Sequence, residues 1–264
     1  MNYTYLSETV GIKTISEDSK KGIFEIEGLY SGYGLTVGNA LRRALLSSLP
    51  GAAITYIKIK NAQHEFSTLP GIKEDLVDLT LNFKRLRFKM HTDETQVLTL
   101  KVKGQKEVTA GDMKANSSVD VINPEEHIAS LTSKDAELDV EITVEKGLGY
   151  SSVESRKEKK LTVGLIGIDA FFSPVRKVNY LVDNMRVGEH TDYNCIRLEI
   201  ETDGTVSPSS ALHKTANILN DHFQKVSAVS VQEFELAGSK PSKAKKEKEE
   251  VDEAPKKKPR AKKA

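Results

Sequence analysis

The chain has 264 residues, 38% of them hydrophobic, enough for one large domain or two ordinary ones with a proper core. No apolar run approaches the roughly 18–20 residues that span a bilayer, and residues 1–13 lack the basic start and continuous apolar stretch of a secretory signal, so a cytoplasmic protein is expected. The net charge of +1 hides a division: residues 237–264 carry ten Lys and one Arg against four Glu and one Asp, a net +6, which leaves −5 on residues 1–236.

In chain order, a strand pattern covers residues 23–29, and helical spacing follows over residues 36–49, with Val37, Ala40, Leu41, Ala44, Leu45 and Ser48 on one face. Pro50-Gly51 ends that helix, and Arg42 and Arg43 project from its other side. Residues 54–60 and 97–103 read as strands. Between them residues 72–83 place Ile72, Leu76, Leu79 and Phe83 in helical register. Leu138, Val140, Ile142 and Val144 alternate with Asp139, Glu141, Thr143 and Glu145, the signature of a half-buried strand with one wet face. Ile196, Leu198 and Ile200 repeat that pattern and run into Asp203-Gly204, a pair suited to positive φ. A last helix starts with Ser207 as N-cap and Pro208 at its first position. Leu212, Ala216, Leu219, Phe223 and Val226 then follow the four-three spacing of a helix packed along another helix.

The fold class is therefore α+β, with a discontinuous arrangement. Residues 1–50 plus 169–236 form one subdomain, and residues 51–168 are inserted as a second, mixed and mainly β subdomain. Residues 237–264 hold three prolines, no aromatic and Val251 as the only large apolar side chain, too little to offset the entropy of ordering, so a disordered Lys-rich tail is expected.

No cluster suited to catalysis emerges. The six histidines never fall three or four residues apart, and Cys195 stands alone, so neither a zinc site nor a disulfide is expected and the thiol reads as an ordinary, partly buried one. Asp139, Glu141 and Glu145 read as a solvated strand face rather than paired catalytic carboxylates. Gly32, Gly34 and Gly38 miss the spacing of a dinucleotide-binding loop; a turn and a close helix approach account for them. Arg42-Arg43 admits two readings, a solvated helix face or bidentate recognition of carboxylates on a partner protein. The tail lysines likewise are either solvated or neutralise phosphates. Two other functions remain open: an enzyme in its own right, which lacks a proton-transfer or metal cluster, and a stand-alone nucleic-acid-binding protein acting through its basic tail, which sets +6 against a body of −5.

The run Gly-Tyr-Gly-Leu-Thr-Val-Gly-Asn-Ala-Leu-Arg-Arg-Ala-Leu-Leu-Ser-Ser-Leu-Pro-Gly at residues 32–51 closely resembles the signature of the α subunits of bacterial and plastid RNA polymerases. Further matches follow in order: His64-Glu65-Phe66-Ser67-Thr68 with Lys73-Glu74-Asp75, Lys146-Gly147-Leu148-Gly149-Tyr150, Phe172-Ser173-Pro174-Val175, and Thr191-Asp192 through residues 201–205.

This resemblance implies the family's two-subdomain amino-terminal fold and a homodimer, with Tyr33, Val37, Leu41, Ala44, Leu45, Leu212, Leu219 and Phe223 at dimer or core positions. It implies a β-subunit contact at Arg42, Arg43, Asn39, His64, Glu65, Lys73 and Asp75. A β′-subunit contact is implied at Ser173, Pro174, Val175, Arg176 and Thr205, although Arg176-Lys177 stands where familiar members are more acidic. The implied role is that of a non-catalytic subunit of DNA-directed RNA polymerase, a scaffold on which β and β′ assemble for transcription. Omega and sigma would join the holoenzyme, DNA would be reached mainly through the complex, and Mg would be held by β′, with no cofactor, metal or catalytic residue in this chain and no membrane partner. Residues 237–264 do not resemble the family's small helical carboxy-terminal DNA-binding domain, so that domain's promoter and regulator contacts are not carried over. The implied location is cytoplasmic and nucleoid-associated, with a plastid as the alternative.

Overall fold

In the computed structural model, which describes residues 8–62, 64–114, 116–156 and 164–229, the first elements are β1 (Gly11–Glu17), β2 (Lys21–Leu29), α1 (Tyr33–Ser47) and β3 (Pro50–Ile59). Next come α2 (Leu76–Arg85), β4 (Phe88–Met90), β5 (Gln96–Lys103), β6 (Lys106–Thr109), β7 (Val119–Val121) and β8 (His127–Leu131). The chain closes through β9 (Glu137–Leu148), β10 (Tyr150–Ser151), β11 (Leu165–Gly167), β12 (Ala170–Phe171), β13 (Val175–Val187), β14 (His190–Thr202) and α3 (Pro208–Ser227). The tail expected at residues 237–264 lies outside the described residues. Among those residues no helix is long and apolar enough to cross a membrane.

Strands from both ends of the chain make one antiparallel sheet in the order β1-β2-β14-β13. Alternation buries Phe24 and Ile26 of β2, Val178 of β13 and Ile196, Leu198 and Ile200 of β14 on one face. Leu41, Leu45 and Leu49 around α1 and Ala211 and Leu212 of α3 complete that core. Full burial of each such leucine contributes roughly 1.5–3 kcal/mol.

The helix can approach the sheet closely only because two of its residues lack side chains. A Cβ added at Gly34 would lie 2.5 Å from Val182 Cγ1 and 2.9 Å from Asn194 Cβ, and one at Gly38 would lie 2.7 Å from the Tyr180 ring. The start of α1 has no side-chain cap of its own. Instead Asn194 of β14, itself buried, accepts from the Gly32 N–H at 2.9 Å and the Gly34 N–H at 3.2 Å through Oδ1, and donates to Asn184 Oδ1 at 3.1 Å. A residue 160 positions away thus satisfies amide groups that the helix start would otherwise leave without partners.

Helix α1 ends sooner than its spacing predicts, because Pro50-Gly51 does more than stop it: Pro50 already pairs with Leu148 as the first residue of β3. That strand carries the chain into a second sheet, ordered β5-β9-β3-β4-β7, with β11 also paired to β3. Ile54, Ile57 and Ile59 of β3 pack with Leu138, Val140, Ile142 and Val144 of β9 and with Leu76, Leu79 and Phe83 of α2. Helix α2 starts four residues later than expected. Ile72 bridges to Leu131, the Lys73 N–H donates to the Ser130 carbonyl at 3.1 Å, and Asp75 caps the helix by accepting from the Asp78 N–H at 2.7 Å. A further lock comes from Arg156, whose guanidinium donates to the carbonyls of Ile168 and, at 3.3 Å, Thr55, while lying 5.2 Å from the centre of the Tyr56 ring.

Replacing Asn194 with alanine is expected to cost about 1–2 kcal/mol, the loss of a helix cap and its buried hydrogen bonds. Urea denaturation should show a lower midpoint with an unchanged slope; an unaltered midpoint would contradict the capping role.

Candidate subunit interface

Helix α1 has its inner face pressed on the sheet, so its outer face displays Asn39, Arg42 and Arg43, all exposed. Among the described residues neither arginine forms an ion pair within the chain. Arg42 also borders an open groove of about 350 Å³ along the edge of the sheet, lined by Val178, Tyr180, Leu181, Arg197 and Glu199.

The segment around residues 64–75 leaves from the opposite end of β3. Ten extended residues span about 30 Å, so β3 stands between this segment and the end of α1. His64 Nδ1 lies 3.2 Å from Ser67 Oγ, Glu65 is exposed, and Phe66 is 74% exposed. Lys73 points its side chain to solvent, whereas Asp75 is committed to capping α2. Glu74, which the sequence marked only as part of a motif, holds the segment in place. Its carboxylate accepts from the Ser130 N–H at 2.8 Å, Ser130 Oγ at 2.9 Å and His127 Nε2 at 3.1 Å. Burial pushes the Glu74 carboxyl upward, but the hydrogen bonds from Ser130 and His127 outweigh it and hold the group below its usual range.

The two sequence-distant pieces at residues 173–176 and 201–205 are brought side by side. Val175 pairs with Thr202, and the Asp203 N–H donates to the Pro174 carbonyl at 2.9 Å. Ser173, Pro174 and Val175 are buried inside the chain, and Arg176 is exposed. Asp203 Oδ1 accepts from the Thr205 N–H and hydroxyl at 2.9 and 2.6 Å, while its Oδ2 lies 4.0 Å from Arg87 Nε. Arg87 gave no signal in the sequence. Burial, with repulsion from Arg176, lowers its pKa, and Asp203 and Glu126 oppose that shift.

The residues considered for dimer or core positions divide clearly. Leu41, Ala44, Leu45 and Leu212 are buried within the chain, Val37 and Leu219 are partly covered, and Tyr33 and Phe223 are 45% and 64% exposed. Leu35 and Val226 join them, at 64% and 69% exposed. The core face of α3 runs through Ala211, Leu212 and Thr215, which leaves the later part of its apolar stripe uncovered.

The candidate carboxylates of β9 behave as a wet strand face: Asp139 pairs with Lys101 at 3.0 Å and Glu141 with Lys58 at 3.6 Å. Cys195 is partly buried, and burial together with Glu25 pushes its thiol up to about 11. Such a thiol carries little thiolate at neutral pH.

The RNA polymerase Rpb3/RpoA insert domain family matches residues 57–173, nearly the span of the larger core. The similarity extends well beyond that domain. The chain is 47% identical over 210 residues to the DNA-directed RNA polymerase subunit alpha of Symbiobacterium thermophilum, covering 80% of this chain and 66% of that protein. With the same subunit of Moorella thermoacetica it shares 47% identity over 207 residues, covering 78% and 66%. With that of Chloroherpeton thalassium it shares 43% over 226 residues, covering 85% and 69%. The chain therefore belongs to the family of DNA-directed RNA polymerase α subunits, and it spans just under two thirds of the length of the first two relatives.

Because the folded-state pKa of Glu74 lies below its unfolded value, its contribution to stability is present above the unfolded pKa near 4.5 and is lost as pH falls through the folded value. Glu74→Gln should therefore lower the melting temperature at pH 7, and the gap to the parent should narrow once pH drops below about 4. A gap independent of pH would contradict the charged role of the carboxylate.

Proposed function

We propose that the chain acts as the assembly platform of a DNA-directed RNA polymerase: two copies pair, and the pair holds the β and β′ subunits for DNA-templated transcription. The observation that carries this reading is the outer face of α1. Arg42 and Arg43 are exposed, lack intrachain ion pairs among the described residues, and sit on a helix whose other face is immobilised against the sheet. Guanidiniums on a rigid element suit bidentate recognition of partner carboxylates.

In this reading β engages Arg42, Arg43 and Asn39. A β subunit that also reached His64, Glu65 and Lys73 would extend along the length of β3. The β′ contact centres on Arg176 and Thr205, with Ser173, Pro174 and Val175 supporting them from inside. Self-association uses the uncovered apolar side chains Tyr33, Leu35, Phe223 and Val226. Burying such a stripe against its copy is the common route to a symmetric dimer. The division into a paired subdomain, residues 1–50 plus 169–236, and an inserted one, residues 51–168, is supported by two large hydrophobic cores, with the small cluster Ala53, Ala170 and Phe172 bridging the boundary. The chemistry of nucleotide addition and its Mg belong, in this proposal, to the partner subunits, and the complex works in the cytoplasm.

Coexpression with the β and β′ subunits of the same organism tests the assembly role. The full chain should capture both, and Arg43→Ala should reduce β affinity at least tenfold while the dimer persists. Unchanged β affinity in that variant would count directly against the reading. Separately, Phe223→Ser should shift the protein toward monomer in sedimentation at micromolar concentration; a dimer as tight as the parent's would remove α3 from the proposed pairing surface.

A further inference from the structure

Three large apolar side chains stand exposed where the larger sheet meets the last turn of α1. Leu148 is 60% exposed, Tyr150 58% and Phe171 42%. Tyr150 and Phe171 are direct partners in the β10–β12 pair, and Leu148 pairs with Pro50 at the start of β3. The group adjoins α1, because a Cβ on Gly149 would lie 3.8 Å from the Ser47 carbonyl oxygen. Ser47 is one helical turn beyond Arg43, to whose carbonyl its hydroxyl donates at 2.7 Å. Guanidinium and apolar cluster therefore occupy the same end of β3, unlike the segment at residues 64–75.

The cluster is held in place from beneath. The Asp169 carboxylate accepts the Val153 N–H at 3.0 Å, and its negative charge raises the pKa of the Tyr150 hydroxyl. The Phe172 N–H donates to the Gly149 carbonyl at 2.8 Å. Phe171 is turned outward by strand alternation, since Ala170 and Phe172 on either side of it are buried. An exposed aromatic ring carried on a paired strand, with only two side-chain torsions, loses little freedom when a partner covers it. Contiguous exposed apolar groups of this kind mark recognition surfaces, and aromatics beside arginine are the usual energetic centre of one.

We propose that Leu148, Tyr150 and Phe171 form a docking anchor for the same partner segment that Arg43 engages, a stretch of the β subunit presenting an apolar side chain beside a carboxylate. The proposal rests on the assembly reading above. Charge selects the occupant: two guanidiniums without an ion pair among the described residues favour an acidic segment, and the net charge of +6 on residues 237–264 disfavours that part of the chain itself.

The test titrates purified β subunit of the same organism against the full chain, the Leu148→Ser/Tyr150→Ala double variant, Tyr150→Phe and Arg43→Ala, with sedimentation reporting self-association. The double variant should lose at least tenfold in β affinity with its melting temperature and dimer unchanged, and Tyr150→Phe should lose no more than about threefold because the ring remains. If the double variant binds β normally while Arg43→Ala does not, the anchor is overturned and the assembly reading stands. If neither variant binds more weakly, the reading falls and the anchor with it. Loss of self-association with β affinity intact would assign the cluster to a second copy and overturn the proposal. Should the double variant melt early, Phe171→Ser replaces it under the same criteria.

Discussion

Helix α1 lies so close to β13 and β14 that neither Gly34 nor Gly38 has room for a methyl group, and this contact governs what the protein can display. Close packing at two points one turn apart fixes the helix in rotation as well as distance, since a roll of the helix would drive its larger side chains into Tyr180 and Val182. Asn194 fixes its position along the axis by taking the first amides. With those freedoms removed, Leu41 and Leu45 fall into the core and Asn39, Arg42 and Arg43 are left facing outward. A pair of arginines on a loosely packed helix would lose orientational entropy on binding a partner; here folding has already removed most of it.

Strand β3 is the second constraint. It begins three residues after α1 and crosses into the larger sheet, so the two cores share a continuous backbone element rather than a hinge. The junction has a side-chain tie as well, from Arg87 beside the loop before α3 to Asp203 of that loop. At 4.0 Å this is a long pair, but Asp203 is buried and already bonded to Thr205, which makes it a fixed counter-charge. The cross-strand pairs Lys58–Glu141, Lys101–Asp139 and Lys103–Glu137 sit on the outer face of the larger sheet, each worth about 0–1 kcal/mol, and add little to stability.

Much of this was legible in local pattern. Alternation in β2, β9 and β14 and helical spacing in α1, α2 and α3 identified elements that the structure contains, because burial of one face leaves a periodic imprint. The glycines of α1 were readable as a close helix approach, and the carboxylates of β9 as a solvated face. Less visible were β1, exposed along its whole length and so without a buried face to pattern, and β13, whose outer residues are as varied as a loop's. The start of α2 was misplaced because Ile72 continues the apolar register while its backbone is bridged to Leu131.

The candidate site was legible only as a set of residues. Sequence by itself determined most of the periodic helices and strands, that the body is α+β, and to which family the motifs point, since these depend on short-range spacing and on residue identity. Tertiary structure alone decided that Leu41, Ala44, Leu45 and Leu212 are interior while Tyr33, Leu35, Phe223 and Val226 are not. It also placed the segment at residues 64–75 at the far end of β3 from Arg43, and Leu148, Tyr150 and Phe171 at the end of β3 that adjoins the last turn of α1. An apolar residue carries the same hydropathy whether its neighbour in space is a core or open water, and only the packing of elements distant in sequence determines which it meets.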